Sequence, residues 1–234
     1  GSQINMTHAL AAHIGTGNFD TAFIAEEFML DMNLIERIEY IPGSGSSVYG
    51  ANALLGVINV ITKKGKDFDG LNLSGEVGSL DTYRGRATYV KQWNNVAELL
   101  INGSQYFSHG ADRLFFPQFS SINAGIAQDM DIERSSRAFG KFSYGDFTFR
   151  GGYVDRYKRV PTGAYQVIFN DKENYTVDRQ AYVDLDYLTQ INANLGLEAR
   201  VFNHWYDYHA ISAYVANGGS PPLARYFYTD RAIA

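Results

Sequence analysis

The chain has 234 residues, a formal net charge of −5 at pH 7 and no cysteine. The lack of cysteine excludes disulfides, thiolate chemistry and cysteine-ligated metal centres, and the mild acidity argues against a nucleic-acid partner. No window approaches eighteen apolar residues, so no membrane-spanning helix is expected. The 17 tyrosines, 15 phenylalanines and 23 glycines favour β-strands.

The residues before Leu34 carry only weak structural signals. Gln3 to Ile14 has weak helical character, and Asn18 to Asn33 mixes apolar and acidic residues without a clear period. We expect an α+β region before about Asp69.

Residues 34–64 read LIERIEYIPGSGSSVYGANALLGVINVITKK and are the most informative stretch. Successive side chains from Ile35 to Ile41 fall alternately on the two faces of a strand. Leu55 to Ile61, by contrast, is a nearly continuous apolar run of mostly branched residues. The second pattern is typical of a strand that is covered on both sides. With its glycine- and serine-rich centre, the stretch predicts a strand, a turn, a short helical turn and a buried strand.

This stretch closely resembles the end of the plug domain of TonB-dependent outer-membrane receptors, where a pattern like IERIEVIRGPSSxLYGxxAxxGVINIITK precedes the first barrel strand. The resemblance implies that residues 1–68 are the C-terminal half of a plug domain. Residues 69–234 would then be the N-terminal part of an outer-membrane β-barrel. The matching positions are Ile35 to Glu39, Gly43, Ser46 to Gly50, Ala53 and Gly56 to Lys63.

The resemblance also implies contacts between plug and barrel. The family usually has Arg-Gly-Pro, with an arginine that often joins plug to barrel, where this chain has Pro42-Gly43-Ser44. Other charged residues of the motif are therefore candidates for that contact. Alternatively, they form a solvated strand edge, where exposed ion pairs contribute little stability. The candidate motif residues are Glu36, Arg37, Glu39, Gly43, Tyr49, Gly50 and Gly56.

From Gly70 onward the chain consists of strand-length segments with period-two alternation. Apolar residues on one face and charged residues on the other are typical of transmembrane β-strands. We predict a mainly β fold with about seven or eight antiparallel up-and-down strands. Val183, Leu185, Leu197 and Val201 are expected to face lipid, and the expected lumen-facing residues are Asp184, Asp186, Glu198 and Arg200.

The connections between these segments alternate in length. Tight joints at residues 93–96, 144–147 and 190–192 have turn-forming composition. Long excursions at residues 108–136, 158–178 and 209–224 separate them, apart from a short first loop at 79–82. Outer-membrane barrels have short periplasmic turns and long extracellular loops, so we expect all tight turns at one end of the sheet.

Motifs that carry catalysis or metal binding are not found. The sequence has no serine elbow, phosphate loop, zinc signature or catalytic carboxylate pair at a defined spacing, so no catalytic residue, metal or cofactor is expected. His204 and His209 are close in sequence, with Asp207 between them, but on a strand the two histidines would point to opposite faces. His109 with Asp112 is interpreted as an ordinary loop pair.

Aromatic residues in the long loops have two possible roles. Leu114 to Phe119 is rich in phenylalanine, and Arg159 to Tyr165 resembles a segment of some receptors of this family. Such side chains could grip an amphiphilic ligand. They could equally pack against one another and cap the barrel.

By resemblance, the expected function is energy-coupled import of a scarce ligand, such as a metal chelate or siderophore, across the bacterial outer membrane, and not catalysis. The implied partners are the TonB complex, outer-membrane lipid and an extracellular small-molecule ligand. A TonB box and a signal peptide are not found, and a family barrel has about 22 strands. The chain is therefore expected to be a fragment that forms an open sheet and is not transport-competent alone.

The sequence is also compatible with two other functions. A small outer-membrane β-barrel that serves as an adhesin or structural protein fits the number of strands but leaves residues 34–64 unexplained. A secreted carbohydrate-binding β-protein or surface-polymer hydrolase fits the aromatic content but lacks an acid pair on a common face.

Overall fold

The structure, a computed structural model, describes residues 3–5, 26–42, 56–63, 70–94, 96–215 and 223–233. Among these, no helix is long and apolar enough to cross a membrane. The strands are β1 Gln3–Asn5, β2 Ile35–Pro42, β3 Gly56–Thr62, β4 Gly70–Gly78, β5 Thr82–Trp93, β6 Ala97–Ser108, β7 Arg113–Phe115, β8 Ile126–Gln128, β9 Glu133–Tyr144, β10 Phe147–Arg159, β11 Tyr175–Asn192, β12 Leu195–Val215 and β13 Leu223–Ile233. Short 3-10 turns span Met32–Leu34, Pro117–Phe119, Asn123–Gly125 and Ala164–Gln166.

Eight strands form one antiparallel sheet in the order β4-β5-β6-β9-β10-β11-β12-β13. Only the hairpin of β7 and β8, within the first long loop, is left out of this succession. The predicted up-and-down topology is confirmed, because neighbours in sequence are neighbours in the sheet. Among the described strands, β4 and β13 each have one neighbour, so the sheet is open and does not close into a barrel.

Hydrogen bonds show that the three tight turns after β5, β9 and β11 share one end of this sheet. The Gly145 amide donates to the Val96 carbonyl (3.1 Å), and the Leu188 amide donates to the Asp146 carbonyl (2.9 Å). At the opposite end, the Gly110 amide of the first long loop donates to the Leu80 carbonyl (3.2 Å). The alternation of short and long joints in the sequence therefore predicted the placement of the loops correctly.

The two faces of the sheet differ in composition. On the face that we call the polar face, strand register aligns Arg86, which is half-buried, with residues such as Asn102, Arg137, Arg150 and Asp184, which are buried. The opposite, apolar face exposes large hydrophobic side chains. These include Leu73, Ile101, Phe142, Phe149, Val183, Leu185, Leu197 and Val201.

A smaller sheet has the order β1-β3-β2, with β3 in the centre. Val60 and Ile61 of β3 are buried, as predicted for a strand covered on both sides. The expectation of helix at Gln3 to Ile14 is wrong for its first residues, because Gln3 pairs with Ile61 and Asn5 pairs with Asn59 in an antiparallel ladder. Pairing with a strong apolar strand overrides a weak local preference. The remainder of the expected helix lies outside the described residues.

A docking segment, residues 26–34, joins the smaller sheet to the polar face of the larger one. Phe28, Leu30 and Leu34 share a hydrophobic cluster with Val60 of β3 and with Val90, Leu100 and Phe139 of the large sheet. The Leu34 carbonyl also accepts a hydrogen bond from the Lys63 amide (2.8 Å). Apolar burial therefore fixes the docking segment between the two sheets.

Replacing Leu34 by alanine should weaken this docking. The Leu34 side chain is 1 % exposed, and truncation of a buried leucine costs about 2–5 kcal/mol. Met32→Ala in the same 3-10 turn is the matched control, since Met32 is 62 % exposed. Limited proteolysis of the detergent-purified protein should show faster cleavage near the docking segment in Leu34→Ala only. Equal cleavage of the two variants would contradict the packing described.

Candidate functional site

Glu26 is the centre of an ion-paired cluster between the docking segment and the large sheet. Its Oε1 accepts from Arg84 Nη2 (2.6 Å), and its Oε2 accepts from Arg137 Nη2 (2.6 Å) and Ser135 Oγ (3.1 Å). Arg137 also donates from Nε to the Phe28 carbonyl (2.7 Å). A single carboxylate thus binds two strands of the sheet, β5 and β9.

Two further acidic residues of the docking segment continue the contact. Asp31 Oδ1 lies 3.2 Å from Arg86 Nε and accepts from the Asn33 amide (2.9 Å), so it also caps the 3-10 turn. Glu27 Oε2 lies 3.4 Å from Arg156 Nη1, and the Glu27 carbonyl accepts from Gln180 Nε2 (3.1 Å). The docking segment therefore contacts β5, β9, β10 and β11.

The Glu26 cluster holds its carboxylate in the charged form. Burial by itself raises the pKa of Glu26, but hydrogen bonds and charge attraction from Arg137 and Arg84 outweigh it, and the net shift is downward. Charge-assisted bonds of this kind are stronger than neutral ones. Both guanidinium groups are largely buried, so an uncharged partner would leave two cations without compensation.

A second ionic cluster lies on the polar face within the sheet itself. Arg150 Nη1 lies 3.3 Å from Asp184 Oδ2, and Arg150 also contacts Asp186. Arg200 Nε donates to Asp184 Oδ2 (2.9 Å) and lies 3.4 Å from Asp186 Oδ1. The structure thus brings together three of the four predicted lumen-facing residues, whereas Glu198 lies nearer the start of β12 and is exposed.

The charged residues of the sequence motif contact one another. Arg37 Nε donates to Glu39 (2.8 Å) and Arg37 Nη1 donates to Glu36 (3.2 Å), and all three side chains are exposed. Gly56 begins β3 opposite Pro42. A contact of these residues with the barrel stays a prediction. Gly43, Tyr49 and Gly50 lie outside the described residues.

The two histidines of β12 are not brought together. His204 is buried, and its Nε2 lies 3.3 Å from Gln180 Oε1. The ring of His209 lies beside that of Tyr175 at a centroid distance of 6.2 Å. The five-residue spacing on one strand places them on opposite faces, as expected.

Aromatic residues of the first two long loops pack against one another. Phe119 stacks on Phe169 at a centroid distance of 4.5 Å, and Phe116 meets Phe169 edge-on at 5.7 Å. Met130 and Ala127 are buried beneath them. This favours the capping role over ligand gripping for these side chains, while Phe115 is exposed.

The acidic residues of the docking segment were missed by sequence reasoning. Their spacing has no period, and their arginine partners lie between 55 positions (Asp31 to Arg86) and 129 positions (Glu27 to Arg156) away. The strands nevertheless carry a sequence pattern that indicates such partners. Arginines recur at alternate positions of the polar face, and such cations need buried carboxylates from elsewhere in the chain.

Curated relatives match part of the chain. The rhizobactin receptor of Rhizobium meliloti (strain 1021) is 34% identical over 110 residues, covering 42% of this chain and 15% of the relative. The vitamin B12 transporter BtuB of Vibrio cholerae is 42% identical over 52 residues, covering 22% of this chain and 8% of the relative. The chain therefore spans well under two thirds of the length of these relatives. No family model matches it.

Solved structures share the fold. The ferric-catecholate import receptor Fiu of Escherichia coli K12 superposes with a TM-score of 0.58 at 14% identity, covering 85% of this chain and 32% of Fiu. The pyoverdine outer membrane receptor FpvA of Pseudomonas aeruginosa PAO1, bound to pyoverdine, gives 0.59 at 17% identity, covering 87% of this chain and 31% of FpvA. Both structures confirm the predicted fold class.

Substituting Glu26 tests the first cluster. Because the pKa of Glu26 is lowered on folding, its stabilisation is present above the unfolded pKa near 4.3 and is lost as the pH falls through the lower folded value. Glu26→Gln should weaken docking by about 3 kcal/mol at neutral pH and reduce the dependence of docking on pH below about 4.5. Protease sensitivity of the docking segment between pH 3 and 7 measures both effects.

Glu36→Gln is the control for this substitution, since Glu36 belongs to the exposed pairs of β2. It should leave protease sensitivity unchanged throughout the same pH range. A Glu26→Gln protein that docks as firmly as the wild type at pH 7 would contradict the role of the cluster.

Proposed function

We propose that this chain, which belongs to the TonB-dependent outer-membrane receptors, is part of a receptor that imports a scarce ligand such as a metal chelate or siderophore. It is a protein of the bacterial outer membrane. In this proposal, residues 1–68 belong to the plug, residues 69–234 to the barrel wall, and the long loops face the cell exterior. The TonB complex, outer-membrane lipid and an extracellular small molecule are the proposed partners.

The observation that carries the proposal is the docking of an acidic segment on the arginine-rich polar face of the large sheet. A plug must be held firmly enough to seal the barrel, yet it must be releasable. Ion pairs suit both needs, because they are strong while water is excluded and weaken once water enters. Glu26 with Arg84 and Arg137, and Asp31 with Arg86, are the proposed holding contacts.

Import then requires movement of the docking segment. In this proposal, a ligand that binds at the long-loop end triggers a pull by TonB on the plug. The pull admits water to the Glu26 cluster, and the contact with β5 and β9 loosens. The second cluster, Arg150 with Asp184, Asp186 and Arg200, lies wholly within the wall and keeps its strands in register meanwhile.

The alternatives considered on the sequence fit less well. A closed eight-stranded adhesin would pair β4 with β13, whereas both are edge strands among the described residues. Catalysis is not proposed, because carboxylates that are neutralised by guanidinium groups are poor general acids or bases. We also propose that these 234 residues alone do not transport, since an open sheet encloses no channel.

An uptake assay tests the proposed function. The receptor of which these 234 residues are proposed to be a part would be expressed in bacteria that lack receptors for the ligands tested, with and without a functional TonB. Radiolabelled iron–siderophore complexes and vitamin B12 would be offered separately. We expect accumulation of one ligand class only when TonB is present. Uptake that is absent for all ligands, or equal without TonB, would overturn the proposal.

A separate experiment tests which face of the large sheet contacts lipid. Val201 is 72 % exposed on the apolar face, so Val201→Arg should place a charge in lipid and impair assembly, by about 2–4 kcal/mol near the membrane midplane. Glu198→Arg on the same strand is the control, because Glu198 is exposed and is aligned with the residues of the polar face. Heat-modifiable migration in outer-membrane fractions measures assembly. Equal assembly of both variants would contradict the assignment of faces.

A further inference from the structure

We propose that His109, Asp112 and Asp129 form a binding site for a divalent transition-metal ion at the neck of the first long loop. One imidazole nitrogen and one carboxylate oxygen from each aspartate lie within 4.8 Å of one another. The site lies where the chain leaves β6 and where it returns from the β7–β8 hairpin. A bound ion would therefore join the two ends of that hairpin.

The donor set indicates the class of ion. His109 Nδ1 lies 3.2 Å from Asp112 Oδ1, which is close to the separation of two ligands on one ion at metal–ligand distances of about 2.0–2.2 Å. Mixed imidazole and carboxylate ligands suit Zn²⁺ and its transition-metal neighbours. Ca²⁺ and Mg²⁺ prefer oxygen ligands alone, so they should compete poorly.

The His109 ring has one nitrogen that lacks a hydrogen-bond partner. His109 Nδ1 is shielded from solvent and makes no hydrogen bond, although a buried polar atom normally has a partner. The nearby carboxylate oxygen satisfies the distance of an ion pair but not the geometry of a hydrogen bond. A metal ion between the two groups would satisfy both.

The backbone of the site is already fixed without an ion. The Asp129 amide donates to the Asp112 carbonyl (2.9 Å), and the Asp129 carbonyl accepts from Arg159 Nη1 (2.9 Å). On the other side of the neck, the Ala111 amide donates to Asp131 Oδ2 (3.0 Å). Only side-chain rotation is then needed for binding, and a small reorganisation favours affinity.

Lys172, on the second long loop, is the group with which a metal ion would compete. Its Nζ lies 3.2 Å from Asp129 Oδ2, and its side chain is 58% exposed. An exposed ion pair of this kind contributes little, so an ion with three ligands can displace the ammonium group. Removal of the lysine charge should therefore strengthen metal binding. If Asp129 served only to pair with Lys172, this change would have no such effect.

The test uses the protein purified in detergent without a histidine tag. Zn²⁺ binding is measured by calorimetry, and Co²⁺ binding by its visible absorption. We expect one ion per chain, with affinity reduced roughly 100-fold or more in His109→Ala and in Asp129→Asn, since even outer-shell changes cost 10- to 100-fold. Lys172→Met should raise the affinity. An excess of Ca²⁺ should not displace the ion.

His209→Ala is the matched control, because it removes a histidine outside the cluster and should leave the affinity unchanged. Zn²⁺ should also slow proteolysis within the β7–β8 hairpin of the wild type but not of His109→Ala. Absence of binding, or equal affinity in the cluster variants and the control, would overturn the site. Binding without protection of the hairpin would overturn the role of the ion in joining its ends. None of these readouts depends on transport.

Discussion

The structure depends on the need to neutralise arginine side chains that face the buried side of a β-sheet. Arg84, Arg86, Arg137 and Arg156 occupy alternate positions on three strands, and each is largely shielded from water. A guanidinium group cannot lose its charge at neutral pH, so burial requires a carboxylate partner. The docking segment supplies Glu26, Glu27 and Asp31. Its apolar residues Phe28, Leu30 and Leu34 pack between the two sheets and hold the same segment in place.

The two ionic clusters of the polar face serve different structural purposes. Arg150, Arg200, Asp184 and Asp186 belong to neighbouring strands, so their pairing stabilises strand register and is complete within the wall. The Glu26 cluster joins segments that are far apart in sequence, and it is complete only when the docking segment is seated. The same chemistry therefore joins neighbouring strands in one place and segments that are distant in sequence in the other.

Much of the large sheet could be predicted because its signals are local. Alternation between residues 70 and 208 fixed the faces of the strands, and turn composition fixed their joints within a few residues. The docking contacts could not be predicted, because the choice of Glu26 and not Glu36 depends on distances between segments that no local pattern encodes. Pairing of Gln3–Asn5 with β3 was missed for the same reason. Likewise, the sequence placed aromatic residues in the long loops, but only the structure shows the stacking of Phe119 on Phe169.

The order of contacts along the docking segment has a mechanical consequence. Glu26 binds Arg84 and Arg137, Phe28 and Leu30 enter the apolar cluster, and Asp31 binds Arg86 before Leu34 enters that same cluster. Tension applied on the N-terminal side would load these contacts one after another and would not load them in parallel. Sequential loading lowers the peak force of detachment, since the contacts do not all resist at once. The segment would then peel from the wall, and its last anchor would be hydrophobic and not ionic.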